Sequence, residues 1–364
     1  MRLISQAPGD EIQEMRSLLY LTAKSAIAHL ESAGIVTVRL IQARLLVAIY
    51  ELGHGLGPVA SISVKACGVS ARALGLDQTL SSLWSYPFAQ SEEERRLWWS
   101  IFIVERYIGL VEADDVFVVK APSLQDILPM PESFLEQETA NVRTPQTMLG
   151  PLSVTAGSLA RLCQACSLAG QVLTHILSPS SDSDFNVRER EQLGSTLQAY
   201  NTVMLSDINV ENSKEYCPAI GVCSSSLMKL YKQKLDGANA ESKTSALDAL
   251  RSISDPIVRL SNLLYNNVDD IDIDSLTLFV PNCLFEAAQV QQKFWKETAG
   301  LKYKHGFESL KRVLRKHAKR WRIAGKCLLF NIGRAVIGLG FDAQQVLIVI
   351  IRRNSCCTTK LSYE

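Results

Sequence analysis

The run Asp269-Asp270-Ile271-Asp272-Ile273-Asp274 is the part of the chain closest to catalytic machinery. Carboxylate oxygens suit Mg²⁺. Two adjacent aspartates and a third acid one helical turn on would hold that metal against a diphosphate, as an all-α, Mg-dependent prenyl-diphosphate enzyme requires. Here Ile273 stands where the third acid belongs, the acids alternate at period two, and no second acidic motif follows. The run reads more simply as an acidic loop or N-cap ahead of a helix starting at Ser275.

Thiol and imidazole chemistry are no better supported. Among nine cysteines, the spaced pair with a metal-like separation is Cys163-x-x-Cys166, and the next thiol is Cys217. Zinc takes four ligands in a tetrahedral set, so two small apolar side chains in a buried helix account for this pair. The adjacent Cys356-Cys357 make no better site. His54 lies in Gly53-His54-Gly55-Leu56-Gly57, without the oriented partner and nucleophile of a catalytic histidine. That loop also follows a helix and lacks the Lys-Ser/Thr of a phosphate cradle. A partly buried histidine capping a helix end is the reading that remains. No catalytic residue, bound metal or cofactor is expected.

Two constellations point to binding. Arg95-Arg96 precede Trp98-Trp99 on one helix. The pair of indoles would either wall an effector pocket or anchor a core with the arginines at its edge. Adjacent helical side chains point about 100° apart, so one indole is expected in the core and the other along a groove. Glu94 with Arg106, or Glu105 with Arg95 or Arg96, would form structural ion pairs. The second constellation is Lys311, Arg312, Arg315, Lys316, Lys319, Arg320 and Arg322, opposed by Leu310, Val313, Leu314, Ala318, Trp321 and Ala324. This is an amphipathic basic helix. Between residues 302 and 334, eleven Lys and Arg face one acid, Glu308, in a chain of net charge +1. The surface fits nucleic acid, an acidic partner or an import receptor; a plain solvated face fits as well.

The elements that position these groups are helices. With 364 residues, 47% apolar and 21% charged, the chain can bury a large core and is not of disordered composition. Apolar positions recur at helical period over residues 12–32, 37–52, 59–74, 91–110, 149–177, 187–209, 218–235, 241–265, 275–298 and 307–330. Gly34 and Gly75 fit helix stops, Pro58 a first turn, and Ser91 an N-cap. Residues 111–138, with Pro122, Pro129 and Pro131, are expected to be irregular, with a short extended piece at 116–119. The fold class is therefore all-α: an irregular multi-helix array with one extended core and no sheet of consequence. No stretch approaches a membrane span or a signal peptide. The scattered, odd cysteine set fits a reducing, intracellular compartment. Val346–Ile351, uncharged and β-prone, reads as a strand or an aggregation-prone patch.

Four motifs, in order, resemble the fungal-specific transcription factor domain, the regulatory region of fungal zinc-cluster transcription factors. They are "LYE-GH" as Tyr50, Glu51, Gly53 and His54, then "A-LGL" as Ala71, Leu74, Gly75 and Leu76. "RR-WW" and an acid-Arg pair follow as Arg95, Arg96, Trp98, Trp99, Glu105 and Arg106. "AR-CQA--LLG-VL-H" appears within residues 160–176, and "RW--AG" at Arg320, Trp321, Ala324 and Gly325. The pair here is Glu-Arg where the family usually has Asp-Arg, and Gly109-Leu110-Val111 replaces the Gly-Arg-Pro that often follows. The resemblance covers residues 11–330 and implies one regulatory domain over 1–330, as a single body or as two packed lobes at about 1–138 and 139–330, with a divergent tail at 331–364. It implies transcription regulation in the nucleus (the cytoplasm is the alternative), and partners that are other regulators, a second copy or a small effector. The six closely spaced cysteines of a two-zinc module are not in these residues, so zinc belongs only to that missing module. No sequence-specific duplex binding is expected, and nucleic acid is bound weakly and non-specifically at most. A pathway-specific or truncated regulator and an interaction protein that sequesters a longer relative both fit this picture.

Overall fold

The computed structural model describes residues 2–9, 13–80, 88–132, 146–150, 157–207, 213–236, 240–265 and 272–328. Ten α-helices are named along them: α1 Leu18–Ser32, α2 Val38–Gly53, α3 Gly57–Ala73, α4 Phe88–Glu112, α5 Ser158–Leu177, α6 Ser183–Asp207, α7 Ser213–Asp236, α8 Ala240–Leu264, α9 Pro281–Thr298 and α10 Leu301–Ala318. A further helical stretch occupies 322–328. Strand pairing among the described residues is confined to one antiparallel bridge, Ile127 with Thr147. The all-α expectation holds.

Local chemistry explains several ends. The Ser17 hydroxyl caps α1 by accepting from the Tyr20 amide, and Thr37 does the same for Leu40 at α2. Each satisfies an amide the helix leaves open. Gly34, Gly55 and Gly75 take positive φ just beyond α1, α2 and α3, where glycine carries no Cβ penalty. Pro58 and Pro281 sit in the first turns of α3 and α9.

Packing moves other boundaries. The first helix begins at Leu18 rather than residue 12, because Ser17 provides the cap. Ser91 lies inside α4 and not at its N-cap. The helix read from 149 starts at Ser158, and that read from 275 starts at Pro281. Ser275 instead ends a 3-10 turn capped by Asp272. The helix read from Pro218 begins at Ser213, with the proline inside it. The long helix read over 307–330 stops at Ala318, turns at Lys319-Arg320 and restarts after Trp321. Residues 116–119 are irregular, not extended strand. Asp269 and Asp270, Cys356 and Cys357, and the tail from 331 lie outside the described residues.

α7 is the hub: α4, α5, α6, α8 and α9 all pack on it. α2, α3 and α4 pack in sequence, α4 leans on α5, and α10 lies across α8 and α9. One continuous cluster of buried apolar residues runs from Ile41 to Ala324. A smaller cluster, Tyr20, Ile27, Leu40, Val47, Tyr50 and Leu56, lies under α1 and is covered by Leu3 and Ile4. No helix among the described residues is long and apolar enough to cross a membrane.

Candidate functional site

α4 carries the first group of singled-out residues, and their partners are main-chain atoms of the irregular segment that follows it. Glu92 accepts from the Met130 amide at 2.9 Å, from Arg96 at 3.1 Å and from Arg95 at 2.6 Å. Arg96 also donates to the Met130 carbonyl at 2.6 Å. Two turns on, the Trp99 indole N–H donates to the Ile127 carbonyl at 2.9 Å. Two turns further, Glu105 accepts from the amides of Val118 and Val119 at 2.7 and 3.1 Å, while Arg106 donates to the Val119 carbonyl at 2.6 Å. Glu105 and Arg106 pair with each other at 2.6 Å.

A buried irregular chain must find partners for its amides and carbonyls. Here one helix supplies them as a ladder of carboxylates, guanidinium groups and an indole. The extended piece expected at 116–119 has this ladder in place of a neighbouring strand. The ion pairs expected between Glu94 and Arg106, or between Glu105 and Arg95 or Arg96, are corrected: Glu92 serves both arginines, and Glu105 serves its own neighbour. Arg106 is sandwiched between Phe102 and Phe117, 4.6 and 3.8 Å from the ring centres. A Cβ on Gly170 would stand 3.0 Å from the Arg106 side chain, so the small residue of α5 makes room for it. The motif on α5 and the acid-Arg motif on α4 are thus two halves of one contact. Trp98 and Trp99 are 5% and 1% exposed. Both anchor the core, so the expectation that one lines a groove fails; α4 is covered by α2, α3, α5 and its own trailing segment.

The second group joins the two ends of the chain. Tyr50, Glu51 and His54 close α2, and the turn at 319–322 packs onto them. The His54 ring lies 4.4 Å from Tyr50 and 5.9 Å from Trp321, centre to centre. A Cβ on Gly53 would fall 2.3 Å from the Trp321 ring, one on Gly55 2.7 Å from Lys326, and one on Gly57 2.2 Å from Glu112. The glycine run is therefore a docking surface for the C-terminal turn and the end of α4. Lys326 donates to the Gly55 carbonyl at 2.6 Å, and the Trp321 indole to Leu276 at 2.6 Å.

His54 is fully buried, not partly. Burial, reinforced by Arg320 and Arg322, lowers its pKa to about 4, so it is neutral at physiological pH. Neither ring nitrogen has a hydrogen-bond partner among the described residues, nor do Glu51 Oε2 and Arg320 Nη1. Glu51 Oε1 accepts from Tyr20 at 2.8 Å and Lys24 at 2.9 Å. Over this cluster runs the N-terminal segment. Arg320 donates to the Ile4 carbonyl at 2.7 Å, Arg322 to Gly9 at 3.1 Å, and Tyr50 to Met15 at 2.9 Å.

The basic helix divides. Lys316 and Arg320 are buried, Arg320 pairs with Asp274 at 3.3 Å, and Lys311 pairs with Glu308 at 3.0 Å. Arg312, Arg315 and Lys319 are exposed. A single solvated basic face is thus corrected to one structural set and one exposed set. Cys163 and Cys166 are buried in α5 with burial driving both thiols up. Among the described residues, no three His, Cys, Asp or Glu side chains converge as for a metal. Between α7, α8 and α9 lies an apolar cavity of about 30 Å³, bordered by Cys217, Ile257, Tyr265 and Cys283. Its volume is that of about two waters, and its apolar lining offers them few partners.

The motif order has a counterpart among known proteins. The family model for the fungal specific transcription factor domain matches residues 7–205, more than half of the chain. Over 76 residues the chain is 41% identical to Transcription factor BOA15 of Botryotinia fuckeliana (strain B05.10). That alignment covers 21% of this chain and 42% of the relative, so the match spans less than half of the relative's length. No solved structure matches. The Arg320–Gly325 motif lies beyond the matched residues, and the structure brings it back onto the Tyr50–His54 motif inside them.

Proposed function

The chain belongs to the fungal specific transcription factor domain family, and from that premise we propose that it acts as the regulatory domain of a zinc-cluster-type transcription factor. Residues 1–330 form the working unit in this reading. The observation that carries it is the family match over residues 7–205, in a chain whose singled-out polar residues hold backbone and pack rings instead of converging on a reactive centre. Such a domain works in the nucleus by contacts with other regulators or a second copy of itself. The cavity between α7, α8 and α9 is too small for a drug-sized effector, and this proposal takes protein contacts as the route of regulation. The Mg-dependent prenyl-diphosphate reading has no support beyond the acidic run, and Asp272 and Asp274 are engaged in a turn cap and with Arg320.

The test is a reporter assay in a fungal host. The chain is fused to an unrelated DNA-binding module, and reporter output is compared with that of the module alone. A change of severalfold, lost when Gly53→Ala disturbs the Trp321 contact, is expected. Unchanged output in the fusion, together with metal-dependent consumption of allylic diphosphates by the purified chain, would overturn the proposal.

A further inference from the structure

We propose that the exposed side chains Arg312, Arg315 and Lys319 form a docking stripe for the phosphate backbone of nucleic acid, bound without regard to sequence. These three are exposed, and their side chains make no ion pair, hydrogen bond or ring contact among the described residues. Two acids that pair with neighbours of the stripe in the chain are already engaged: Glu308 by Lys311 and Asp274 by Arg320. Spacing of three and then four residues puts the cations on one face, about 4.5 and 6 Å apart along the axis. Lys319 keeps helical backbone geometry at the C-cap, so the stripe continues past the end of α10.

A like-charge row at this spacing destabilises a helix. The helix dipole compensates in the last turn, where Arg315 and Lys319 sit, but it does not reach Arg312. The row therefore fits an external anion better than an internal role. The kind of anion follows from what the stripe lacks. Between residues 310 and 319 every exposed side chain is basic, while Leu310, Val313 and Leu314 point into the core. An acidic peptide needs apolar anchors to bind with useful affinity, and the stripe offers none. A phosphate backbone needs only cations. The chain's net charge of +1 gives no general attraction to polyanions, so binding must be local to this face.

The experiment is fluorescence anisotropy with a labelled duplex of arbitrary sequence and the full chain. Three neutralised phosphates predict affinity falling about 40-fold as salt rises from 50 to 200 mM. Reversing the stripe with Arg312→Glu, Arg315→Glu and Lys319→Glu together should weaken binding at least tenfold at 50 mM salt and flatten the salt dependence. A control with the same charge change at three exposed cations elsewhere, Arg39→Glu, Lys120→Glu and Arg188→Glu, should stay within about threefold. Both triples replace exposed residues, and an unchanged thermal transition by circular dichroism confirms that each is folded. No binding at 50 mM salt, or equal losses in the two triples, overturns the stripe. Polyglutamate competing as well as duplex at equal charge also overturns it, in favour of an acidic polypeptide. None of these results bears on the reporter assay, so the stripe and the regulatory reading fail separately.

Discussion

The contact between Glu105-Arg106 and the trailing segment and the contact between His54 and the C-terminal turn are equally buried, yet they differ in how their polar atoms are served. Glu105 and Arg106 are each 2% exposed, and both carboxylate oxygens are taken up by amides and a guanidinium. Glu51 and His54 are 0% exposed, and a carboxylate oxygen and both ring nitrogens have no hydrogen-bond partner among the described residues. An unserved buried polar atom costs about 1–3 kcal/mol. The first contact therefore acts as scaffold. The second is held by tilted ring contacts and glycine clearance against its own electrostatics, and it ties down both ends of the described chain. Local stability should be lower there.

The largest expected effect tests this directly. Arg106→Leu leaves Glu105 charged and buried, and should cost about 3–5 kcal/mol in urea unfolding. His54→Leu keeps similar volume and removes two unserved nitrogens, so it should be neutral or mildly stabilising. Equal losses from both would erase the distinction. Gly53→Ala comes next. Its methyl would enter the Trp321 ring, and overpacking of this kind costs about 1–3 kcal/mol. The loss should appear together with a shift of tryptophan emission to longer wavelength as Trp321 is pushed out. Gly170→Ala, whose methyl would stand 3.0 Å from Arg106 rather than 2.3 Å from a ring, should cost less.

Acid sharpens the comparison further. His54 and His317 are both held at about 4 against an ordinary 6.5. The unfolded chain binds more protons between those values, so stability is full above pH 6.5 and falls as pH drops toward 4. Each histidine should contribute about 1.4 kcal/mol per pH unit within that window. Urea midpoints at pH 7 and pH 5 measure the slope, and His54→Leu should remove its own share. A slope unchanged in that variant would mean that His54 is protonated in the fold.

Much of this was legible in the sequence. α2 and α3 lie within two residues of where periodicity puts them, because caps, glycines and a first-turn proline mark their ends, and α8 does so on its apolar period alone. The irregular stretch after α4 shows in its prolines, and the basic helix in its charges. The pairing of motifs was not legible. Gly53 meets Trp321 and Gly170 meets Arg106 across the fold, and nothing local to either glycine names its partner. The stop at Ala318 is equally silent, since Lys319-Arg320 carries no glycine or proline. Periodicity told that an indole would be buried, but burial of both Trp98 and Trp99 depends on α4 being wrapped from several sides. Only packing reveals that.

The smallest effect probes how the weaker contact holds the N-terminal segment. Arg322 donates to the Gly9 carbonyl, Arg320 to Ile4, and Leu3 and Ile4 cover the cluster under α1. Arg322→Ala removes the hydrogen bond to the Gly9 carbonyl at a half-buried position, and a bond of this kind is worth about 1 kcal/mol. That is too little to unfold a core running from α2 to residue 324, so global unfolding should shift only slightly. Residues 2–9, by contrast, form no helix, and local opening is governed by the contacts of the opening unit alone. Amide exchange in that segment should accelerate about fivefold, since about 1 kcal/mol is a factor of roughly five in an opening equilibrium, while amides of α4 and α7 keep their protection. Exchange that accelerates in α4 as strongly as in residues 2–9 would show that the two contacts are one cooperative unit, and the contrast between a served scaffold and a conflicted clasp would not stand.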